Sequence, residues 1–106
     1  MYKIGNLEEM VILLAAALKE EAYAVSIANE YTDRTSNNIS IPAIHTVLKR
    51  LEDKGLLTSH DSVPTKERGG RKKRIYTITN SGYRVIHELR IQRESLWTLV
   101  PNMPIQ

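Results

Sequence analysis

Two glycines, Gly69 and Gly70, are followed at once by Arg71, Lys72, Lys73 and Arg74, and these cations run straight into the alternating segment Ile75-Tyr76-Thr77-Ile78. A β-prone segment whose first half is all charged has too few apolar residues there to lie across a core. It can instead project from the body as one arm of a hairpin, with the glycines turning the chain at or near the tip. The whole chain, arm included, has 106 residues. That suffices for one domain with a real core and leaves little for a second function.

The charge is unevenly placed. Residues 1–40 carry three basic and six acidic side chains, residues 41–80 nine basic and four acidic, and residues 81–106 three and two. The middle of the chain is therefore the electropositive part, which points to a polyanionic partner. Without cysteine there is no disulfide framework and no thiolate zinc site. The run Met10 to Leu18 superficially resembles the apolar part of a signal peptide, but Glu8 and Glu9 stand where a positive flank belongs. Nine residues are also too few to span a bilayer, so a buried helix and a cytoplasmic protein without membrane contact are expected.

Periodicity predicts a first helix over about Asn6 to Lys19, with Asn6 as N-cap and Glu8 and Glu9 in the first turn. Leu7, Met10, Val11, Leu14 and Leu18 form one face, while Ile12 and Leu13 add apolar surface elsewhere. A helix so apolar must be covered on more than one side. A second helix is expected over about Ala22 to Arg34, and Thr35 to Asn38 has loop chemistry. In the third, Ser40 caps the helix, Pro42 lies in its first turn and Gly55 ends it. Ile44, Val47, Leu48 and Leu51 form its buried stripe, and Pro42, Ala43, His45, Thr46, Lys49 and Arg50 its open side. Leu56 to Ser62 reads as a strand, Val63 to Gly70 as a polar turn, and Arg71 to Ile78 as the returning strand. Thr79 caps a last helix that ends before Pro101.

Helix, helix, helix, basic hairpin and a long final helix is the order of a winged helix-turn-helix. The expected fold is accordingly α+β, mainly α, with a two-stranded β-wing. Residues 1–79 would form the DNA-binding unit, residues 80–100 a C-terminal helix within the same compact body, and residues 101–106 a tail. Double-stranded DNA is the expected partner, with the third helix in a groove and the wing along the phosphates. The residues expected to meet it are Ser40, Pro42, Ala43, His45, Thr46, Lys49 and Arg50 on the helix. On the wing they are Arg68, Gly69, Gly70, Arg71, Lys72, Lys73 and Arg74.

On these residues the chain resembles the PadR family of bacterial transcriptional regulators over roughly Leu7 to Leu99. The resemblance is strongest in S-I-P-A-I-H-T-V-L-K-R-L-E-D-K-G-L-L, Ser40 to Leu57, and in G-G-R-K-K-R-I-Y-T-I-T-N-S-G, Gly69 to Gly82. It implies a homodimer, usually a repressor, built by the last helix together with the first. The dimer interface would draw on Met10, Leu13, Leu14, Val85, Leu89, Leu96 and Trp97, with Ile12 and the alanines of the first helix also facing a partner subunit. The family often has Tyr-Gly in the second helix where this chain has Tyr23-Ala24, and Pro-Gly where this chain has Ile41-Pro42. A tyrosine that tends to touch the DNA backbone is here His45, whose hydrogen bond to phosphate would depend on pH.

His45, His60 and His87 are scattered over three elements with no carboxylate pair at ligand spacing, so no metal or other cofactor is expected. No nucleophile, base and acid combination has motif context, and no catalysis is read. Trp97 is expected inside the dimer interface. In some relatives an aromatic there lines a cavity for flat apolar compounds, so a small-molecule effector at Trp97 rests on analogy alone. The competing class is a winged helix used for protein contact without DNA. That use calls for an apolar or acidic third helix or wing, and the cations of this chain favour DNA.

Overall fold

The structure, a computed structural model, describes residues 3–63 and 73–105. Among these residues it is mainly helical, with four α-helices and one antiparallel pair of strands. The first helix, α1, runs Asn6–Leu18. Its N-cap is Gly5, one residue before the expected Asn6, and the Glu8 carboxylate accepts the Gly5 N–H at 3.1 Å. A short 3-10 turn, Lys19–Glu21, follows.

The second helix, α2, spans Ala24–Thr35, two residues later than periodicity predicts. The reason is tertiary. The carbonyl of Ala22 accepts the N–H of Tyr76 at 2.9 Å, so this residue serves as a single-rung edge to the sheet. The Ser26 hydroxyl then closes the corner: its oxygen accepts the Tyr23 N–H, and its one proton lies between the Glu21 and Tyr23 carbonyls. Ser36 ends α2 in the left-handed region, at φ 60°.

The third helix, α3, is Ile41–Asp53. Its caps are those the sequence announces. Ser40 Oγ accepts the Ala43 N–H, and Gly55 takes φ 74° just past the end, where only glycine is unstrained. Strands β1, Leu57–Asp61, and β2, Arg74–Ile78, pair with Leu57 opposite Ile78 and Asp61 opposite Arg74. Ile75 and Tyr76 lean to opposite faces, yet both are buried, because helices or the Ala22 edge cover each side of the short ladder.

The last helix, α4, covers Asn80–Trp97. Thr79 fixes its start: the hydroxyl accepts the Gly82 N–H and donates to the Gly55 carbonyl, tying α4 to the end of α3. Val11, Ile12, Ile27, Ile44, Leu48, Leu51, Leu56 and Leu57 form the centre of the core. Here the expectation for α1 needs correction. Ile12 is wholly buried within its own subunit, with Gly82 of α4 laid against it, and Ala15 is nearly so. Leu13 and Ala17 are the apolar positions on α1 that stay open.

Candidate nucleic-acid interface

Burying Ile44, Val47, Leu48 and Leu51 turns the opposite side of α3 outward. Ser40, Pro42, His45, Thr46, Lys49 and Arg50 are exposed along it and Ala43 is half-buried. The expected contact residues of α3 thus share one open face. Several also have partners within the protein. The Thr46 hydroxyl donates to the Pro42 carbonyl at 3.1 Å, leaving lone pairs free to accept. Lys49 Nζ donates to Asp53 Oδ1 at 3.0 Å. That bond, with the carboxylate's charge, holds the Lys49 pKa above its ordinary value and keeps the ammonium charged. Asp53 lies one turn on from Lys49, and its spacing of four residues is the sequence signal that announces the pair.

The wing root adjoins this face. Lys73 Nζ lies 4.0 Å from the centroid of the Tyr23 ring, at the start of α2, within cation–π range. Arg74 donates from Nε to Ser59 Oγ at 3.0 Å and from Nη1 to Asp61 Oδ1 at 3.1 Å. Ser62 and Lys73 extend the pairing beyond the ladder through the Ser62 N–H on the Lys73 carbonyl and the Lys73 N–H on Ser62 Oγ. The other expected wing residues, Arg68, Gly69, Gly70, Arg71 and Lys72, and most of the turn before them, lie outside the described residues. Ser59 and Asp61 were not singled out from the sequence, and Tyr23 was named only for the Tyr23-Ala24 pair of the second helix. Asp61 and Arg74 become legible as a pair only once the register of the hairpin is known.

A second surface lies along α4. From Ile91 onward every described residue is exposed, including Leu96 at 63% and Trp97 at 71%. Leu13, Ile86 and Trp97 line a cleft of about 510 Å³ between α1 and α4, together with Tyr83, His87, Glu9 and Arg93. Tyr83 and His87 stack there at 6.0 Å, and Arg93 pairs with Glu9 across the two helices. Of the residues expected to face another subunit, Val85 is spent on the subunit's own core, with 5% of its surface left, and Leu89 is half-buried against that core. The family resemblance implied both for the interface, but the packing of α4 on the body uses them within the subunit.

Among the described residues no group of three or more His, Asp or Glu side chains is placed to hold a metal ion. No described helix is long and apolar enough to cross a membrane.

The profile of the transcriptional regulator PadR-like family matches residues 12–88 of the chain. Among solved structures, a PadR-like transcription factor from Bacteroides fragilis superposes with TM-score 0.71 at 25% identity, covering 88% of this chain and 84% of that one. A PadR family regulator from Eggerthella lenta superposes with TM-score 0.66 at 26% identity, over 87% and 80% of the two chains. Bacillus subtilis PadR, solved in complex with operator DNA, shares the fold at TM-score 0.63 and 20% identity, over 94% of this chain and 51% of that one. A comparison with functionally curated proteins returns no match.

Proposed function

This chain belongs to the PadR-like family of transcriptional regulators, and on that premise we propose that it represses transcription as a homodimer bound to an inverted-repeat operator. Residues 1–79 act as the DNA-binding unit and residues 80–100 as the dimerisation helix. The recognition helix is α3, which enters the major groove with Ala43, Thr46 and Lys49 toward the bases. His45 and Arg50 lean toward the backbone, and the cations of the wing, apart from those held at its root, follow the phosphates. The observation that carries this reading is the open face of α3, polar and cationic and clear of core duties, beside the root of a basic wing. The Bacillus subtilis relative solved on operator DNA supports the choice of partner.

Dimerisation rests on the apolar surface that α4 leaves uncovered, above all Leu96 and Trp97, continued by Leu13 on α1. A helix that exposes such side chains in water gains by burying them against a second copy. The cleft beside Trp97 would then sit at the subunit interface, where a small apolar or aromatic ligand could relieve repression by altering the spacing of the two recognition helices.

Selection of binding sites from a pool of random duplexes, followed by sedimentation of the protein on the recovered site, tests the proposal. The expected outcome is an inverted repeat with half-sites about one helical turn (roughly 10 bp) apart, occupied by two chains. Recovery of no enriched sequence, or one chain per site, would count against it.

A further inference from the structure

We propose that Arg74 is a positioning residue that fixes the wing against the recognition helix, and is not one of the cations that touch phosphate. The inference rests on the DNA-binding reading above.

The side chain is engaged twice on the protein's own surface. Nη1 meets Asp61, its direct partner across the ladder, and Nε meets Ser59, two residues back on the same face of β1. Ser59 passes the connection inward, for its hydroxyl donates to Glu52 Oε2 in the last turns of α3. One hydroxyl thereby uses its proton on Glu52 and a lone pair on Arg74. The result is a continuous chain, Arg74 to Ser59 to Glu52, from the second strand of the wing to the helix that reads DNA.

Geometry matters here more than the charge pair alone. The Arg74 and Asp61 side chains are 52% and 53% exposed, and an ion pair so open to water contributes little by itself. What gives the contact direction is the planar guanidinium, which fixes two acceptors at a set angle, and the half-buried Ser59 that anchors one of them. The neighbouring Lys73 turns to another part of the body, over the Tyr23 ring. Both described cations of the basic run are therefore tethers, one to α2 and one to α3. If Arg74 left for a phosphate, Asp61 would stand unpaired on the wing beside the polyanion, and that repulsion would oppose the move.

Ser59→Ala separates the two roles because it cuts the chain without changing any charge. The experiment measures binding of wild type, Ser59→Ala, Arg74→Ala and the double variant to the selected duplex by fluorescence anisotropy, from 50 to 200 mM salt. Circular dichroism confirms that each is folded. A positioning role predicts that each single variant weakens binding roughly three- to tenfold, the scale of one ordinary intramolecular hydrogen bond. It predicts a double variant no weaker than the worse single one, and a slope of log K against log salt that Arg74→Ala leaves unchanged. A slope reduced by about 0.9 in magnitude in Arg74→Ala would make Arg74 a phosphate contact and overturn the proposal. So would Ser59→Ala binding as tightly as wild type. Wild type that binds no duplex at all would instead sink the DNA-binding reading itself, before any variant is compared.

Discussion

The α-carbon of Gly82 sits so close to the Leu56 carbonyl that a β-carbon there would lie 2.2 Å from the oxygen. It would also lie 2.9 Å from Ile78 Cγ1 and 3.1 Å from Ile12 Cδ1. This contact is where α4 is pressed onto the end of α3 and across α1, and it needs a residue without a side chain. In a free helix, alanine would be favoured over glycine by about 1 kcal/mol. Here the blocking atom is backbone, so Gly82→Ala should instead destabilise the fold by about 2 kcal/mol and lower Tm by roughly 10 °C. Thermal unfolding checks this; a variant as stable as wild type would mean that α4 can shift outward at no cost.

Acid should weaken the junction of α1 and α3. Burial alone would raise the pKa of Glu8, but hydrogen bonds from Lys54 and the Gly5 N–H, with the charges of Lys54 and Arg50, outweigh it and hold the carboxyl below its ordinary value. Lys54 Nζ lies 2.8 Å from Glu8 Oε2, and the two side chains are only 30% and 14% exposed. A carboxyl with a depressed folded pKa stabilises above its unfolded value of about 4.3 and loses that contribution as pH falls through the lower folded value. Glu8→Gln should therefore cost about 1 kcal/mol at pH 7, and the gap to wild type should close below about pH 4. Urea unfolding across that range measures it.

Leu96→Glu or Trp97→Glu should convert a dimer to a monomer without unfolding it, because both side chains are exposed in the single subunit. Leu89 is a poorer probe, since it packs on the core and a charge there would disturb folding as well. Sedimentation at micromolar concentration, with circular dichroism beside it, separates the two effects. A wild type that is already monomeric would contradict the dimer.

Thr46→Val and Lys49→Ala should each relax base preference at one position of the half-site, at about 1–3 kcal/mol on the preferred duplex. His45→Ala should weaken preferred and random duplexes alike. Equal weakening of every duplex by the Thr46 and Lys49 variants would reverse the roles assigned to them.

Much of the fold was legible because its signals are local. Ser40, Pro42 and Gly55 bound α3 through chemistry that acts within a turn or two, and Thr79 does the same for α4. The three- and four-residue spacing of Ile44, Val47, Leu48 and Leu51 marks the buried side of α3, and with it the open one. What stayed illegible depends on contacts distant in sequence. Ala22 has helix-forming neighbours, but its carbonyl is used as an edge for Tyr76, 54 positions on, and α2 starts later for that reason. Ile12 looks like surplus apolar surface until α4 is laid across it at Gly82. Arg74 reads as one more cation in a basic run, and only the strand register reveals Asp61 opposite it.

DNA reading by α3 and the wing is the function from which the rest follows. The most direct measurement is the affinity of the full chain for its selected duplex and for a scrambled duplex of equal length, titrated across salt. The prediction is a preference of about 10³ or more for the selected duplex, and for both a log K that falls linearly with log salt. Equal and weak affinity for the two duplexes, with little dependence on salt, would contradict it and leave the winged helix as a surface for another protein.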